Sequence, residues 1–228
     1  NDRDVMGNHG TSDYWVVKLS SAGTVEWQKS LGGSGIDMAN SIQQCTDGGS
    51  IVAGSSESND GDVTGNHGRN DYWVVKLSLA GTIEWQKSLG GSRDDYATSI
   101  QQSADGGYIV AGYSESNDGD VTGNHGNNDY WVVKLSSAGD ILWQKSLGGS
   151  WYEREPSIQQ SADGGYIVAG SSYSNDGDVT GNHSHSHYDS WVVKLSPEGA
   201  VEWQKSLGGS NEEVARSIQQ STDGGYIV

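Results

Sequence analysis

The sequence predicts an all-β fold built from repeated four-stranded units, and three observations predict it. The first is self-similarity over the whole chain of 228 residues. WVVKLS begins at Trp15, Trp73, Trp131 and Trp191, WQKSLGGS at Trp27, Trp85, Trp143 and Trp203, and SIQQ at Ser41, Ser99, Ser157 and Ser217. Four copies at spacings of 58 or 60 residues account for the entire chain, and such a period signals a modular architecture. The second is local character, because each copy carries four short segments rich in β-branched and aromatic residues, bounded by clusters of Gly, Asn, Asp and Ser. The third is that no copy sustains the i, i+3, i+4, i+7 pattern of an amphipathic helix.

In the second full copy the strands are expected, in order, at Thr98 to Ser103, Tyr108 to Tyr113, Tyr130 to Ser136 and Asp140 to Leu147. On the third strand of the first copy Trp15, Val17 and Leu19 alternate with Tyr14, Val16 and Lys18, which suits a sheet covered on both faces. A four-stranded antiparallel sheet cannot bury both faces alone, so the units are expected to pack face to face around an axis as propeller blades. Trp73, Trp131 and their equivalents then belong between blades, with ligand stacking as the alternative role. The paired glutamines, such as Gln43 and Gln44, fall on the inner strand, where one amide per blade would ring a central channel as a structural plug or an ion or water site.

The tandem DYWVVKLS, WQKSLGGS and SIQQSADGGYIVAG closely resembles a β-propeller repeat family of secreted and surface bacterial proteins. The resemblance covers all four copies; it implies the fold and an extracellular or cell-surface location, and no single activity. On that blade assignment the blades run over about 212–228 plus 1–34, 35–92, 93–150 and 151–211, as one domain. Asn1 aligns with Asn59 and Val228 with Val52, so the seam lacks only the equivalents of Ala53 to Ser58. The expectation is a four-bladed ring in which Val16 to Leu19 and Val25 to Leu31 complete the sheet begun by Ile218 to Gln220 and Tyr226 to Val228. The alternatives are part of a larger propeller, an eight-bladed pair of chains, or a homo-oligomer joined head to tail through the terminal half-blades.

Composition removes several function classes. Thirteen Lys and Arg against 30 Asp and Glu leave a net charge of −17, which argues against nucleic acid as a partner. Mean hydropathy is −0.63 and no apolar run approaches the 18 residues of a membrane span. Nine Trp and 11 Tyr argue against disorder. The single cysteine, Cys45, has no internal partner and stands where the other copies have Ser.

The most chemically informative segment is NDGDVTGNHGRND, Asn59 to Asp71. Asp60, Asp62, Thr64, Gly65, Asn66 and Asp71 fall at positions 1, 3, 5, 6, 7 and 12 of an EF-hand-like calcium loop. Alternate oxygens in a turning loop suit a hard cation, and glycine at the sixth position supplies the turn. Asp118, Asp120, Thr122, Asn124 and Asp129 repeat the spacing. Asp2, Asp4, Asn8 and Asp13 keep it with Met6 replacing one oxygen donor, which weakens that copy. Asp176, Asp178, Thr180 and Asn182 keep it with His187 at position 12 and the next acid at Asp189, after a two-residue insertion. Ca²⁺ is therefore the cofactor expected from the spacing. Asx turns without metal give the same residues, and both readings stand on sequence alone. The insertion also places His183, His185 and His187 at alternate positions, a candidate site for Zn²⁺, Ni²⁺ or Cu²⁺, with a solvated loop as the plainer reading.

No nucleophile elbow, phosphate loop or histidine-flanked cysteine is present. Near-identical loops in every blade suit a non-enzymatic, multivalent binding or adhesion module, with a glycan or another repetitive surface polymer as the ligand class. A structural spacer or assembling scaffold is the second class. Trp151, Tyr152, Glu153, Arg154 and Glu155 form the one cluster asymmetric enough to suggest a carbohydrate-active enzyme, the third class.

Overall fold

The computed structural model describes residues 5–184 and 186–228. It is all-β, with sixteen strands among the described residues. The strands are β1 Tyr14–Leu19, β2 Val25–Leu31, β3 Asp37–Gln44, β4 Ser50–Ser56, β5 Asp71–Leu77, β6 Ile83–Leu89, β7 Asp95–Gln102 and β8 Tyr108–Ser114. They continue as β9 Asp129–Leu135, β10 Ile141–Leu147, β11 Glu153–Gln160, β12 Tyr166–Ser172, β13 Asp189–Leu195, β14 Val201–Leu207, β15 Gln219–Gln220 and β16 Tyr226–Ile227. They form three antiparallel meanders, β3-β4-β5-β6, β7-β8-β9-β10 and β11-β12-β13-β14, and two pairs, β1-β2 and β15-β16. Among the described residues no helix is long and apolar enough to cross a membrane.

Each meander turns where its sequence supplies a glycine that accepts a left-handed backbone. Gly106 has φ +83° in the β7–β8 turn, where Gly107 donates its amide to Asp105 Oδ1 at 2.9 Å. The inner strand of each meander carries a register shift where it pairs with the second strand, between Ala39 and Ser41, Ala97 and Ser99, and Arg154 and Ser157. These bulges turn Asn40, Thr98 and Pro156 out of the ladder.

The third strand is covered on both faces, as its sequence suits. All seven residues of DYWVVKL are buried in β5 and in β9. The charge on that strand is matched from outside: Lys76 reaches Asp47 at 2.8 Å and Glu84 at 3.0 Å, and Lys194 reaches Asp163 at 2.9 Å. The tryptophans lie in the seams between sheets, where Tyr14 meets Trp73 and Tyr72 meets Trp131, each pair with ring centroids 4.6 Å apart.

The inner-strand glutamines do not form a ring of amides. Gln43 Oε1 accepts from the amide of Gln102, Gln101 Oε1 from that of Gln160 at 2.7 Å, and Gln159 Oε1 from that of Gln220 at 2.6 Å. A backbone amide is a nearer donor than another side chain, so these glutamines staple each inner strand to the next.

The two strand pairs at the ends remain separate sheets. Trp15 is 47% exposed where Trp73, Trp131 and Trp191 are fully buried, and Ile42 is 56% exposed where Ile100 and Ile158 are 5%. At the other end Leu207 is 42% exposed where Leu147 is fully buried.

Candidate functional site

The loop between the second and third strands of each sheet is held by its own sequence. Val63, Val121 and Val179 are fully buried and pin it to the core. Gly65, Gly123 and Gly181 have φ near +80° and open space beside them, so the sixth loop position makes the sharp turn its sequence requires.

The carboxylates do not converge on one point. Asp60 Oδ1 accepts from the amide of Ser34 at 2.7 Å, and Asp62 Oδ2 from that of Gly32 at 3.3 Å, both on the LGGS turn after the preceding sheet's outer strand. Asp118 and Asp120 grip Ser92 and Gly90 in the same way, and Asp176 and Asp178 grip Ser150 and Gly148. These donors hold the Asp60 and Asp118 carboxyls below the usual carboxylate range, chiefly through the backbone amides of Ser34 and Ser92. For Asp176 the Ser150 hydroxyl is the larger cause.

Thr64, Thr122 and Thr180 each accept from the amide of Gln86, Gln144 and Gln204, whose Oε1 accepts from the indole of Trp73, Trp131 and Trp191. Asn66, Asn124 and Asn182 donate to the carbonyls of Ser56, Ser114 and Ser172, while Asn8 donates to Gly10 O at 2.5 Å. Asp13, Asp71 and Asp129 accept from the histidine four residues earlier, with Nδ1 of His67 2.7 Å and of His125 2.6 Å from the carboxylate. Asp189 takes this place in the fourth copy, 2.7 Å from His183, so His187 is not the equivalent of Asp71.

Asp2 and Asp4 lie outside the described residues, as does His185. His187 Nδ1 faces the hydroxyl of Ser184 at 3.2 Å, away from the Asp189 partner of His183. Among the described residues no three His, Cys, Asp or Glu side chains are placed to hold a metal ion. Asp60, Asp62 and their equivalents thus form a latch between each loop and the neighbouring sheet.

A second layer of acids lies under each latch. Asp37, Asp95 and Glu153 are buried and accept from the amides of Gly33, Gly91 and Gly149 at 2.8–3.0 Å. A Cβ on Gly90 would stand 2.5 Å from Asp95 Oδ2 and 2.9 Å from Asp71 Oδ1, so glycine is required where two carboxylates close on one backbone. Oδ1 of Asp71, Asp129 and Asp189 is buried without a hydrogen bond. Burial pushes Asp95 up to about 6 and Glu153 up to about 7.

Where the inner strands converge, the bulges line a mouth with a cavity of about 410 Å³. Asn40, Thr98, Pro156 and Arg216, the same position in four copies, contribute to its wall with Tyr96 and Tyr113. Asn40 Nδ2 donates to Ala97 O at 2.8 Å, Thr98 Oγ1 to Pro156 O at 2.5 Å, and Arg216 pairs with Glu155. Glu155 has φ +53°, the one positive value among the described non-glycine residues. Beside the mouth runs an aromatic strip. Trp151, 53% exposed, meets Tyr173, which meets Tyr188, and Arg154 lies over the rings of Tyr152 at 5.0 Å and Tyr188 at 5.9 Å.

No family model matches the chain. It is 27% identical over 175 residues to the regulatory protein FlaEY of Caulobacter vibrioides, covering 68% of this chain and 18% of that protein. A crystal structure of a protein of unknown function from Bacteroides caccae superposes with a TM-score of 0.52 at 12% identity, over 96% of this chain and 61% of that one. The chain thus spans under a fifth of the first relative and about three fifths of the second. The structural likeness is one of fold alone.

The mouth escaped sequence reasoning because its residues are unremarkable singly. A signal exists in the repeat: GIDMAN, RDDYAT, WYEREP and NEEVAR differ from one another, and each is followed by an unchanged SIQQ.

Proposed function

We propose that this chain is a non-enzymatic binding and adhesion propeller that recognises a glycan, displayed outside the cell or on its surface. The strip of exposed Trp151, half-buried Tyr173 and Tyr188, and Arg154-capped Tyr152 carries this reading, because sugar recognition combines flat apolar faces with directed polar groups. The strip occurs in one copy, whereas the repeated loops are occupied in the seams, so a single principal site replaces the multivalent arrangement. Hydrolysis by Glu153 and Glu155 is disfavoured, since Glu153 is fully buried and bonded to Gly149 N and Ser172 Oγ, out of reach of a substrate. A glycan array tests the reading: wild type binds a defined set of glycans, and Trp151→Ala binds them at least about tenfold more weakly. An array without wild-type binding would overturn it.

A second reading concerns the ends. In it, the half-blades β1-β2 and β15-β16 complete a fourth sheet, closing one chain into a four-bladed ring or joining successive chains. The exposed Trp15, Ile42 and Leu207, whose equivalents are buried, favour covering of both faces. Sedimentation over a wide concentration range separates the cases, and a spin-label distance between β2 and β16 reports closure within a monomer.

A further inference from the structure

We propose that the mouth where the inner strands converge is the seat of the ligand and that its occupant is an uncharged sugar unit of a glycan, an inference that rests on the glycan-binding reading above. Four near-identical blades arranged about an axis would give a mouth of nearly equivalent walls, which cannot orient an asymmetric molecule. This mouth has lost that equivalence. Asn40, Thr98, Pro156 and Arg216 occupy one repeat position, and Met38, Tyr96, Arg154 and Val214 another, while the SIQQ that follows is the same in all four copies. The bulges make the difference at Asn40, Thr98 and Pro156 structurally cheap, because these residues leave the ladder and line the cavity.

The chemistry of the wall selects the ligand. A cavity of about 410 Å³ is within the size range of small-ligand sites. Tyr96 and Tyr113, with centroids 5.3 Å apart, supply flat faces and hydroxyls, while Asn40 Oδ1, Thr98 Oγ1, Ser99 and Ser157 supply short polar groups for ligand hydroxyls. Arg216 and Glu155 neutralise one another across the mouth. The net charge of −17 repels anionic polymers, and with Arg216 neutralised by Glu155 the wall presents hydroxyl, amide and aromatic groups, which suit an uncharged polyhydroxyl compound. Glu155 stands in a left-handed conformation that L side chains rarely adopt, where the other copies have Ala, and in it the carboxylate meets Arg216.

The experiment is a titration of the isotope-labelled full chain with N-acetylglucosamine, galactose, mannose and, as a charged control, glucuronate, followed by amide resonances. One neutral sugar is expected to move Tyr96, Thr98, Ser99 and Ser157, and Tyr96→Ala and Arg216→Ala each to weaken it about tenfold. Arg216 is largely exposed, so its substitution leaves the Tm unchanged and keeps the test open should Tyr96→Ala fold poorly. Shifts confined to Trp151, Tyr173 and Tyr188, with Arg216→Ala binding as wild type, would sink the mouth and leave the glycan reading standing. Perturbation of the mouth by glucuronate alone would overturn the uncharged ligand. Silence from all four sugars at saturating millimolar concentrations would overturn both readings.

Discussion

Tyr72 donates its hydroxyl to the carbonyl of Trp131 at 2.9 Å while its ring packs on the Trp131 indole 4.6 Å away. One side chain thus joins two sheets by a polar and an apolar contact, and Tyr14 repeats the arrangement on Trp73. Tyr72→Phe retains the ring contact and loses the hydrogen bond, and should cost about 1 kcal/mol. Urea unfolding followed by tryptophan fluorescence measures this; an unchanged midpoint would mean that the ring contact alone holds the seam.

The latch predicts a metal-independent effect. Asp118→Asn and Asp120→Asn each weaken the grip on the Gly90 to Ser92 turn. Both should lower the Tm by a few degrees, equally in chelator and in calcium. A loss seen only in calcium would return these loops to the cation reading.

The lysines predict an order among three acids. Lys76 and Lys194 each have two acidic partners, whereas Lys134 has Asp105 alone, because Leu142 stands where the other copies have Glu84 and Glu202. Asp105→Asn should cost about 1–2 kcal/mol, below the full cost of a buried pair because Asp105 is half exposed. Asp47→Asn and Asp163→Asn should each cost less, and equal losses in all three would refute the ordering.

Stability should fall as pH rises from about 5 to neutral. Burial lifts Asp95 from 3.8 to about 6 and Glu153 from 4.5 to about 7, so the folded chain holds these protons more tightly than the unfolded one. The stabilisation they add is complete below about pH 4 and is lost as pH climbs to about 7. Asp47 and Asp163, lowered chiefly by the ammonium groups of Lys76 and Lys194, act oppositely and lose their contribution in acid. The Tm should therefore be highest at about pH 5, and Glu153→Gln should flatten the decline towards neutrality. A Tm that rises steadily to neutral pH in wild type would contradict this.

The strands were legible because each is a local fact. The β-branched and aromatic runs and the Gly-Asp-Ser boundaries lie within a few residues, and the repeat reports each of them four times; the expected Tyr108 to Tyr113 and the observed Tyr108–Ser114 differ by one residue. Spacing is also local, and it placed Gly65 at a true turn. What spacing could not supply is direction. Asp60 and Asp62 sit at ligand positions along the chain, yet their oxygens meet amides of Ser34 and Gly32, which lie 26 and 30 residues earlier and belong to another sheet. Those amides end a strand, have no ladder partner, and take the nearest carboxylate.

The amino-acid sequence by itself therefore determined the repeat, the four-strand unit and the absence of helix. Only the tertiary structure decided what the conspicuous residues do and where the inconspicuous ones meet. Packing of the sheets against one another set the acidic loops as latches and the glutamines as staples, because backbone amides without a ladder partner take an acceptor from the neighbouring sheet. The same packing gathered Asn40, Thr98, Pro156 and Arg216, some 58 residues apart in the chain, around one cavity. No single copy contains that site, since a cavity lined by residues of several sheets exists only after those sheets have packed together.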